Sequence, residues 1–367
     1  MRKFFLLALV WGVFALMCPA QDVKIIFAGD LMGHDRQIQA APQSDSTYDY
    51  TPCFRYIKDY VSSADLAILN LEVTLAGPPY NGYPTFSSPV ALAQAAKDAG
   101  FDIMTTANNH CLDRDKQGLE STIQALDSLG IPHLGTYINQ IEHDNSHPMT
   151  VCLDCIKLAL LNYTCGTNGR LVEEPNIVNY IDTVAMQRDL DKAKAEGHDF
   201  IITLIHWGIE YDTRSSAEQE YLAKWLLEHG SDAVMGSHPH VVQNFTVDAI
   251  PDNDRYPEIV VYSMGNLVSN QRKINTDGGI MIELDLRKTG DKTVVTDCHY
   301  LPYWVYRGTI DGLYQYYILP SNDAMANRRK YQINREDYKA LKLFSKSTRA
   351  RLDSCALNNG INILERR

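Results

Sequence analysis

Short apolar strands alternate with helical segments along most of this chain, and the alternation limits the folds open to it. The helical segments carry apolar residues at helical spacing, and several are followed by a glycine, which ends a helix because it tolerates positive φ. This order predicts a largely parallel α/β sheet, whose ligand sites lie beyond the carboxyl ends of its strands. The predicted strands are 23–28, 66–69, 101–105, 200–205 and 233–235, and the predicted helices are 90–99, 118–129, 184–195 and 217–228.

A second, β-rich pattern is interleaved with the first. At 367 residues, with no internal repeat and no convincing linker, the chain is predicted to form one domain with two sheets rather than two domains. The segments of this second pattern are a hairpin over 150–163, strands over 259–263, 279–286 and 293–300, and a charged amphipathic helix over 335–352.

The N-terminus has the pattern of a cleaved secretory signal over 1–20. A short basic start precedes an apolar run, and Cys18-Pro19-Ala20 supplies small residues at the cleavage positions, so Gln21 is the expected mature N-terminus. The mature protein is then expected to be secreted across the inner membrane and to be periplasmic or cell-surface. A lipid anchor on Cys18 is the minor alternative, because Met17 is bulky where that processing site usually has a small residue. No later stretch is long and charge-free enough to span a bilayer.

Charge and cysteine content exclude two classes of protein. The formal net charge is −11, which argues against nucleic-acid binding, since nucleic-acid binders concentrate Lys and Arg on one face. Seven irregularly spaced cysteines remain after the predicted cleavage, so no disulfide framework organises the fold. Cys152 and Cys155 can pair if the compartment is oxidising, but no second pair follows to complete a zinc knuckle.

The stretch G-S-H-P-H-V-V-Q places His238 and His240 two residues apart at the end of a predicted strand. Pro239 favours an extended path, and in an extended segment side chains at i and i+2 leave the same face. We therefore expect both imidazoles to point one way. Two solvated histidines at a strand end are the alternative.

Polar residues follow five separate predicted strands, and all of them should meet at one sheet edge. Oxygen and nitrogen donors without cysteine suit zinc, manganese or iron, so the sequence predicts one or two divalent ions there. Glu72 or Asp30 would bridge two such ions. The converging residues are Asp30, Glu72, Asn108 or Asn109 with His110, His206, and His238 with His240.

Six motifs in fixed order give this chain a family resemblance that runs from about Val23 to Leu286. They are F-A-G-D-L-M-G, L-N-L-E, T-A-N-N-H-C-L-D, I-H-W-G-I-E-Y, G-S-H-P-H-V-V-Q and V-Y-S-M-G-N-L-V. In these motifs the chain resembles the poly-γ-glutamate capsule biosynthesis (CapA) family, a branch of the calcineurin-like metallophosphoesterases. The resemblance implies an α/β fold, the four-layer αββα sandwich of the metallophosphatase type, in which two mixed sheets are flanked by helices. We expect this domain to occupy 21–310, with 311–367 as a C-terminal helical extension packed on it.

The resemblance also implies a ligand set and two departures from the phosphoesterase pattern. Met32 stands where phosphoesterases have the histidine of D-x-H, and Glu72 stands where an aspartate bridges the metals. His34 takes over the missing contact, or it is an ordinary surface histidine of the loop. The residues expected to be metal ligands are Asp30, Glu72, Asn109, His110, His206, His238 and His240, and those expected to be catalytic are His110, Glu72 and His240.

Other polar and aromatic residues near the motifs are candidates for substrate contact. Trp207 has packing as its alternative role, and Glu210 is alternatively a solvated loop residue. Asp113 either orients His110 or caps the helix that begins near Asp115. The candidates for substrate binding are His34, Arg36, Asn108, Trp207, Glu210 and Asn266, and Arg36 with Arg272 and Lys273 would form a basic patch that attracts an anionic polymer.

Two functions from different classes fit these features. The first is an exported metal-dependent hydrolase that acts on a phosphoester or on an amide of an anionic envelope polymer such as poly-γ-glutamate. The second is a non-catalytic polymer-binding or export factor that works with membrane-bound capsule synthesis proteins and retains a degenerate metal site. No nucleic acid is expected as a partner.

Overall fold

Two mixed sheets lie face to face at the centre of the computed structural model, which describes residues 22–44, 47–248, 258–353 and 363–366. The predicted signal over 1–20 lies outside the described residues. The strands are β1 (Asp22–Leu31), β2 (Leu66–Leu71), β3 (Ile103–Thr105), β4 (His133–Leu134), β5 (Thr136–Tyr137), β6 (Met149–Leu153), β7 (Ile156–Thr164), β8 (Ile177–Val178), β9 (Phe200–His206), β10 (Ala233–Ser237), β11 (Phe245–Asp248), β12 (Glu258–Val261), β13 (Asn266–Val268), β14 (Gly278–Thr289), β15 (Lys292–Ile310), β16 (Leu313–Pro320) and β17 (Ile363–Glu365).

Ten helices surround these sheets within the described residues. The helices are α1 (Asp35–Ala40), α2 (Thr51–Phe54), α3 (Lys58–Val61), α4 (Ala91–Asp98), α5 (Asp115–Leu129), α6 (Gln140–Ser146), α7 (Thr183–Ala195), α8 (Ala217–His229), α9 (Ser321–Ala326) and α10 (Arg335–Asp353).

Both large sheets combine parallel and antiparallel pairs. In the larger sheet the strand order is β16-β15-β14-β1-β2-β3-β4, and β13 and β17 pair with β1 and β15. Its β1 to β4 are parallel, whereas β14, β15 and β16 are antiparallel. The smaller sheet has the order β11-β12-β10-β9-β7-β6, with β7, β9, β10 and β12 parallel. The carboxyl ends of the parallel strands in each sheet therefore share an edge, as the sequence predicts.

Successive side chains of a strand point to opposite faces of its sheet, and this alternation separates the layers of the fold. In β1, Ile25 and Phe27 face a core shared with the smaller sheet, whereas Ile26 and Ala28 face a core shared with α2, α3 and α4. The smaller sheet behaves in the same way, because Leu160 enters the central core and Leu161 packs toward α7 and α8. The order helix, sheet, sheet, helix follows, so the predicted four-layer α/β fold is confirmed.

Local signals explain where the helices begin and end. The Ser216 hydroxyl accepts from the Gln219 backbone N–H at 3.2 Å, and the Gln219 side chain accepts from the Ser216 N–H at 3.0 Å, which forms a capping box at the start of α8. Gly230 ends α8 at φ 114°, a conformation that glycine adopts without a Cβ penalty. Across the described residues, no helix combines the length and the apolar character that crossing a membrane requires.

The region 311–367 differs from the predicted helical extension. Residues Leu313–Pro320 form β16, which pairs with β15 inside the large sheet. Tyr316 and Ile318 face the core under the helices, while Tyr317 and Leu319 face a cluster shared with α9 and α10. Because both faces of β16 are buried, its sequence lacks the polar alternation of a half-exposed strand.

The predicted hairpin is confirmed as β6 and β7, which turn at Asp154 with φ 50°. Cys152 and Cys155 lie on its two sides as free thiols, so they do not form the disulfide that the sequence permits.

Candidate metal centre and its surroundings

Strand ends from both sheets meet at one buried site. The larger sheet supplies Asp30 from β1 and Glu72 just after β2, and the smaller sheet supplies His206 at the end of β9. His238 and His240 follow β10. Apart from His238, which is 9% exposed, these residues are at most 1% exposed. The convergence predicted from the sequence is therefore present.

Gly29 lets the first strand end come close to a neighbouring loop. A Cβ at this position would lie 1.8 Å from the Gly265 carbonyl oxygen, so no other residue fits. The next residue, Asp30, donates its backbone N–H to the same carbonyl at 3.1 Å. This contact holds the backbone of Asp30 beside the loop.

Two sets of metal-ligating side chains share Glu72. One set is Asp30, Glu72 and His240, and the other is Glu72, His206 and His238, with the ligand atoms of each set within 4.8 Å of one another. Glu72 Oε1 lies 3.7 Å from Nε2 of both His206 and His240. A carboxylate placed between two imidazoles in this way suits a bridging ligand.

The surroundings of the Glu72 carboxylate show whether a cation fits the site. Both of its carboxylate oxygens are buried, and among the described residues neither has a hydrogen-bond partner. Burial, and then the nearby Asp30 carboxylate, raise the pKa of Glu72 well above its usual value. A buried carboxylate without donors is costly, and a cation beside it would remove that cost. The donor set of carboxylate oxygens and imidazole nitrogens thus fits a divalent metal.

Neighbouring polar side chains orient the imidazoles of His206 and His240. Asp30 Oδ2 lies 3.2 Å from His240 Nδ1, and Asn266 Oδ1 lies 3.0 Å from the same nitrogen. The Ser237 hydroxyl lies 2.9 Å from His206 Nδ1. Such partners fix the ring orientation and the tautomer of a ligating histidine.

Burial keeps two of these histidines neutral. It lowers the pKa of His206 well below the usual value, and that of His238 to about 4, and neighbouring histidines add to both effects. A neutral imidazole is the form that ligates a metal.

The backbone of the H-x-H stretch is not extended, contrary to the sequence-based argument. β10 ends at Ser237, and His238 and His240 have φ values of 99° and 58°. Positive φ strains a residue that carries a Cβ, so the surrounding contacts must hold it. One such contact is the His238 N–H to Asp30 Oδ2, at 3.4 Å. Both rings enter the site through this local bend rather than through strand alternation.

His110 lies beside the two ligand sets but belongs to neither among the described residues. Its Nδ1 is 2.7 Å from Asp113 Oδ2, which also accepts the Phe86 N–H at 2.6 Å. Arg114 is the N-cap residue of α5, and no side chain caps this helix. Asp113 therefore orients His110 rather than capping the helix.

The two asparagines before His110 have different surroundings. Asn109 Oδ1 lies 2.8 Å from His206 Nε2, so Asn109 reaches the site. Asn108 is fully buried, donates to the Leu71 carbonyl at 2.8 Å and accepts the His110 N–H at 3.1 Å. The structure thus places Asn108 as a support for the loop, away from a position where it would touch substrate.

Position 32 supplies no polar contact. Met32 is 1% exposed and packs in the apolar core between the large sheet and its helices. His34 is partly buried, with Nδ1 3.2 Å from Gln37 Oε1 and its ring edge-on to Phe86 at 5.1 Å. Burial lowers the pKa of His34 to about 4. Neither residue belongs to the two ligand sets found among the described residues.

The remaining predicted substrate contacts divide into buried and exposed residues. Trp207 is 2% exposed and donates its Nε1–H to the Tyr262 carbonyl at 2.9 Å, so it packs behind the smaller sheet. Asn266 is fully buried and supports His240. Arg36 is exposed on α1, and Glu210 is exposed in the loop after β9.

Two residues of the predicted basic patch contact aromatic rings. Arg272 donates its guanidinium to the Gln271 carbonyl at 2.7 Å and lies 5.8 Å from the Tyr316 ring. Lys273 Nζ lies 3.5 Å from the Tyr211 ring, which is 6.1 Å from the His240 ring. Lys273 is thus connected to the site through the Tyr211 ring.

Three residues at the site had no role in the sequence analysis. Asn70 donates to Asp30 Oδ1 at 2.8 Å, and a polar residue inside an apolar strand was the available signal for it. Asn168 accepts from Asn109 Nδ2 at 3.2 Å, and Arg170 lines a pocket beside His110. Nothing in the sequence marks these two, because a long loop brings them to the site.

A third carboxylate and histidine group, Glu283, Asp285 and His299, lies on β14 and β15. Lys24 Nζ is 3.5 Å from Glu283 Oε1, and the Arg366 guanidinium contacts the same oxygen. These side chains already neutralise Glu283, so this group is an ion-pair network.

Known proteins match most of the chain. Residues 24–271 match the profile of the family described as bacterial capsule synthesis protein PGA_cap. The capsule biosynthesis protein CapA of Bacillus anthracis is 28% identical over 283 residues, which are 74% of this chain and 65% of that protein. The PGA biosynthesis protein CapA of Bacillus subtilis (strain 168) is 24% identical over 277 residues, which are 72% of this chain and 68% of that protein.

Solved structures also align with it. The calcineurin-like phosphoesterase YfkN from Bacillus subtilis is 15% identical, with a TM-score of 0.46, and the alignment covers 88% of this chain and all of that one. The 5'-nucleotidase from Candida albicans is 13% identical, with a TM-score of 0.43, and the alignment covers 89% of this chain and 57% of that one.

Proposed function

The chain belongs to the bacterial capsule synthesis protein family PGA_cap, and from that premise we propose that it is an exported metal-dependent hydrolase. Its substrate would be an anionic envelope polymer such as poly-γ-glutamate, during synthesis, export or remodelling. The observation that carries this proposal is the buried Glu72 carboxylate, which lies between two histidine sets and has no hydrogen-bond donor in the part of the chain that the structure describes. The match covers only 65% of the length of the Bacillus anthracis relative, so the activity of that whole protein is not assigned to this chain.

One or two manganese, zinc or iron ions would be held by five side chains. When bound, such an ion would polarise the scissile bond and make water a stronger nucleophile. The protein's own contribution is to fix the ligands: Asn266 and Asp30 hold His240, and Ser237 holds His206. The proposed ligands are Asp30, Glu72, His206, His238 and His240.

His110 is the proposed proton donor to the leaving group. Its Nδ1 is bonded to Asp113, so Nε2 is the nitrogen that would carry the transferred proton. The Asp113 carboxylate stabilises the imidazolium and holds the ring, in the way a carboxylate supports histidine in other hydrolases. The backbone N–H of Phe86 in turn holds Asp113.

A non-catalytic polymer-binding or export factor is the second candidate. The observation that favours it is Met32. This residue supplies no imidazole and is buried in an apolar core. In this case the site would bind polymer or metal without turnover, alongside membrane-bound capsule synthesis or export proteins.

Metal analysis of the purified mature protein tests the site. His238→Ala should lower the metal content without unfolding the protein, because a ligand beyond a strand end contributes little to the core. His229→Ala, at the end of α8, is the matched control and should keep the metal. Unchanged metal content after loss of both His238 and His240 would refute the assignment.

Hydrolysis assays separate the two functions. We expect little activity on simple aryl phosphates and slow, metal-dependent hydrolysis of a γ-glutamyl polymer. Efficient aryl phosphate hydrolysis that Asp30→Ala abolishes would identify an ordinary phosphoesterase. If neither substrate is hydrolysed with any metal, the result supports the non-catalytic polymer-binding or export factor. N-terminal sequencing that begins at Gln21 would support export.

A further inference from the structure

Positive charge is concentrated in one segment of an otherwise acidic chain. Residues 327–353 contain nine Lys and Arg and only three Asp and Glu, whereas the whole chain contains 34 Lys and Arg and 45 Asp and Glu. This segment comprises α10 and the loop between α9 and α10. A cluster of this kind attracts an anionic partner, even though the net charge of the whole protein would repel one.

Four of these basic residues form a line along the exposed face of α10. Successive members are four, three and four residues apart, which places them on one side of a helix. The other side of α10 is buried, since Leu341 and Phe344 pack in the apolar cluster with β15 and β16. Lys339 Nζ lies 2.9 Å from Glu336 Oε1, and the other three have no carboxylate of a described residue within ion-pair distance. The exposed residues of this line are Arg335, Lys339, Lys342 and Lys346.

The loop before α10 widens this line. The Arg328 guanidinium lies 5.1 Å from the centre of the Tyr338 ring, and Lys342 Nζ lies 4.8 Å from the same centre. Tyr338 therefore holds the loop against the line of lysines. We call the exposed basic residues of the loop and the helix the basic face; they are Arg329, Lys330, Arg335, Lys339, Lys342 and Lys346.

Two exposed aliphatic side chains lie on the same surface. Leu343, next to Lys342 in α10, is 53% exposed, and Ile274 is 72% exposed. The Ser347 hydroxyl, one helical turn beyond Leu343, donates to Oδ1 of Asn275, the residue after Ile274. This hydrogen bond attaches the loop of Ile274 to α10, so the basic face continues through Leu343 to Ile274.

The same loop leads to the metal centre. Lys273, the residue before Ile274, has its Nζ 3.5 Å from the centre of the Tyr211 ring. The centre of the Tyr211 ring lies 6.1 Å from that of the His240 ring. A surface that binds the basic face and Ile274 would therefore lie beside the metal centre, not on the far side of the molecule.

Charge and apolar exposure together select the partner. The line from Arg335 to Lys346 extends for about 16 Å along the helix axis, which suits a planar array of phosphates better than a single anionic ligand. Each Lys or Arg near an anionic bilayer strengthens binding by about fivefold. A nucleic acid or an acidic protein would meet the same charges, but a bilayer also offers an apolar boundary for Leu343 and Ile274.

We propose that the basic face, with Leu343 and Ile274, docks the protein on the headgroups of an anionic phospholipid bilayer. The binding is peripheral, because the basic side chains pair with lipid phosphates and the two aliphatic side chains enter the boundary between headgroups and acyl chains. The metal centre then works next to the membrane. This inference does not depend on the proposed hydrolase, since the contacts with lipid are the same whether or not the site turns over a substrate.

Vesicle sedimentation tests this docking. The full chain from Gln21 onward is mixed with vesicles of phosphatidylcholine alone, or of phosphatidylcholine with about one third phosphatidylglycerol, which carries the anionic headgroup. We expect binding to be about tenfold or more tighter with phosphatidylglycerol, and this preference should disappear at high salt, because salt screens exposed charges. Equal binding to the two compositions, or no binding to either, would overturn the proposal.

Substitutions on α10 locate the contact. Lys342→Gln with Lys346→Gln should weaken binding to phosphatidylglycerol vesicles by about tenfold to thirtyfold, since two charges are removed. Lys58→Gln with Lys224→Gln removes the same charge from exposed positions of α3 and α8 and should leave binding within about twofold of wild type. An equal loss in both double variants would show that only net charge matters, and the basic face would be refuted.

Leu343→Ser tests the apolar part of the contact. It should weaken binding by about threefold to tenfold without changing the salt dependence, because it removes apolar area and no charge. Circular dichroism of the variant checks that α10 is still folded. Unchanged vesicle binding in the folded variant would contradict the insertion of this side chain.

An acidic peptide serves as the competing partner. A short peptide of aspartate and serine should bind weakly and should not displace the protein from phosphatidylglycerol vesicles. Tight peptide binding that the two lysine substitutions on α10 abolish, without vesicle binding, would assign the basic face to an acidic protein and refute the lipid contact. Absence of hydrolysis in every assay, with vesicle binding intact, would refute only the proposed function.

Discussion

Glu72 shows how a bound cation would stabilise a single buried residue. Its carboxylate is fully buried, has no hydrogen-bond donor from any described residue and lies near the Asp30 carboxylate. An ordinary buried carboxylate is paired or hydrogen-bonded, because its desolvation is otherwise uncompensated. The protein keeps this cost at the point where two imidazole sets meet, which is where a cation would remove it.

Glu72→Gln should therefore have opposite effects with and without metal. In metal-free protein it should raise the free energy of unfolding by about 1–3 kcal/mol, since Gln has nearly the same shape and lacks the carboxyl group whose ionisation burial opposes. With manganese or zinc present it should lower stability, because a bridging ligand is lost. Urea unfolding in chelator and in excess metal measures both effects. A variant less stable than wild type in both conditions would contradict this account.

Individual residues also show what the sequence can predict of the site. Asp30, Glu72 and His206 follow buried strands directly, so strand order alone brings them together. Arg170 lies in a long loop, and its position depends on tertiary contacts that no local pattern encodes. His238 was predicted to reach the site for a reason that proved wrong, because its φ of 99° is set by surrounding contacts rather than by strand geometry.

The strands that were predicted correctly are short apolar runs that end in polar residues, and the predicted helices carry apolar residues at helical spacing. The core strands and α4, α5, α7 and α8 lie within a few residues of the predicted segments. β16 was assigned to a helical extension, because both of its faces are apolar and its run L-Y-Q-Y-Y-I-L-P has no period of two. Short elements such as β5 and β8 are set by pairing with each other rather than by propensity.

A buried polar network joins four of these elements away from the metal centre. His147, which follows α6, has Nε2 3.1 Å from Asp189 Oδ2 on α7 and Nδ1 3.2 Å from the Tyr137 hydroxyl on β5. The Tyr163 hydroxyl on β7 donates to Asp189 at 3.0 Å. Burial lowers the pKa of His147, although Asp189 partly opposes this.

This network should make stability depend on pH. The lowered pKa means that, below the usual value of 6.5, the unfolded state binds more protons at His147 than the folded state does. Stability due to this residue is thus present at neutral pH and is lost as pH falls below 6.5 toward the folded-state pKa.

His147→Asn removes the titrating group and tests this dependence. At pH 7.5 the variant should be less stable than wild type by about 1–3 kcal/mol, because a buried hydrogen bond to a carboxylate is lost. The difference in unfolding free energy between wild type and variant should narrow as pH falls from 7.5 to 5, as measured by urea unfolding at each pH. If this difference in unfolding free energy stays constant over the range, His147 does not titrate in the way proposed.

At the scale of the whole molecule, the metal centre lies where the two sheets meet. Asp30 and Glu72 come from the larger sheet, whereas His206, His238 and His240 come from the smaller one. Each ligand set contains residues of both sheets. A bound ion would thus add a link between two layers that already pack through the apolar side chains of the central core.

Metal should therefore stabilise the folded protein as one unit. A ligand that binds only the folded state adds RT ln(1 + [L]/Kd), which is about 2.7 kcal/mol at a free metal concentration of 100 Kd. Differential scanning calorimetry with chelator and with excess manganese should show a higher unfolding temperature with metal. Asp30→Ala, in the larger sheet, and His240→Ala, after a strand of the smaller one, should each abolish most of this increment, while Glu228→Gln on α8 should retain it. If either site variant keeps the full increment, the ion is held by one sheet alone and the link between the layers does not exist.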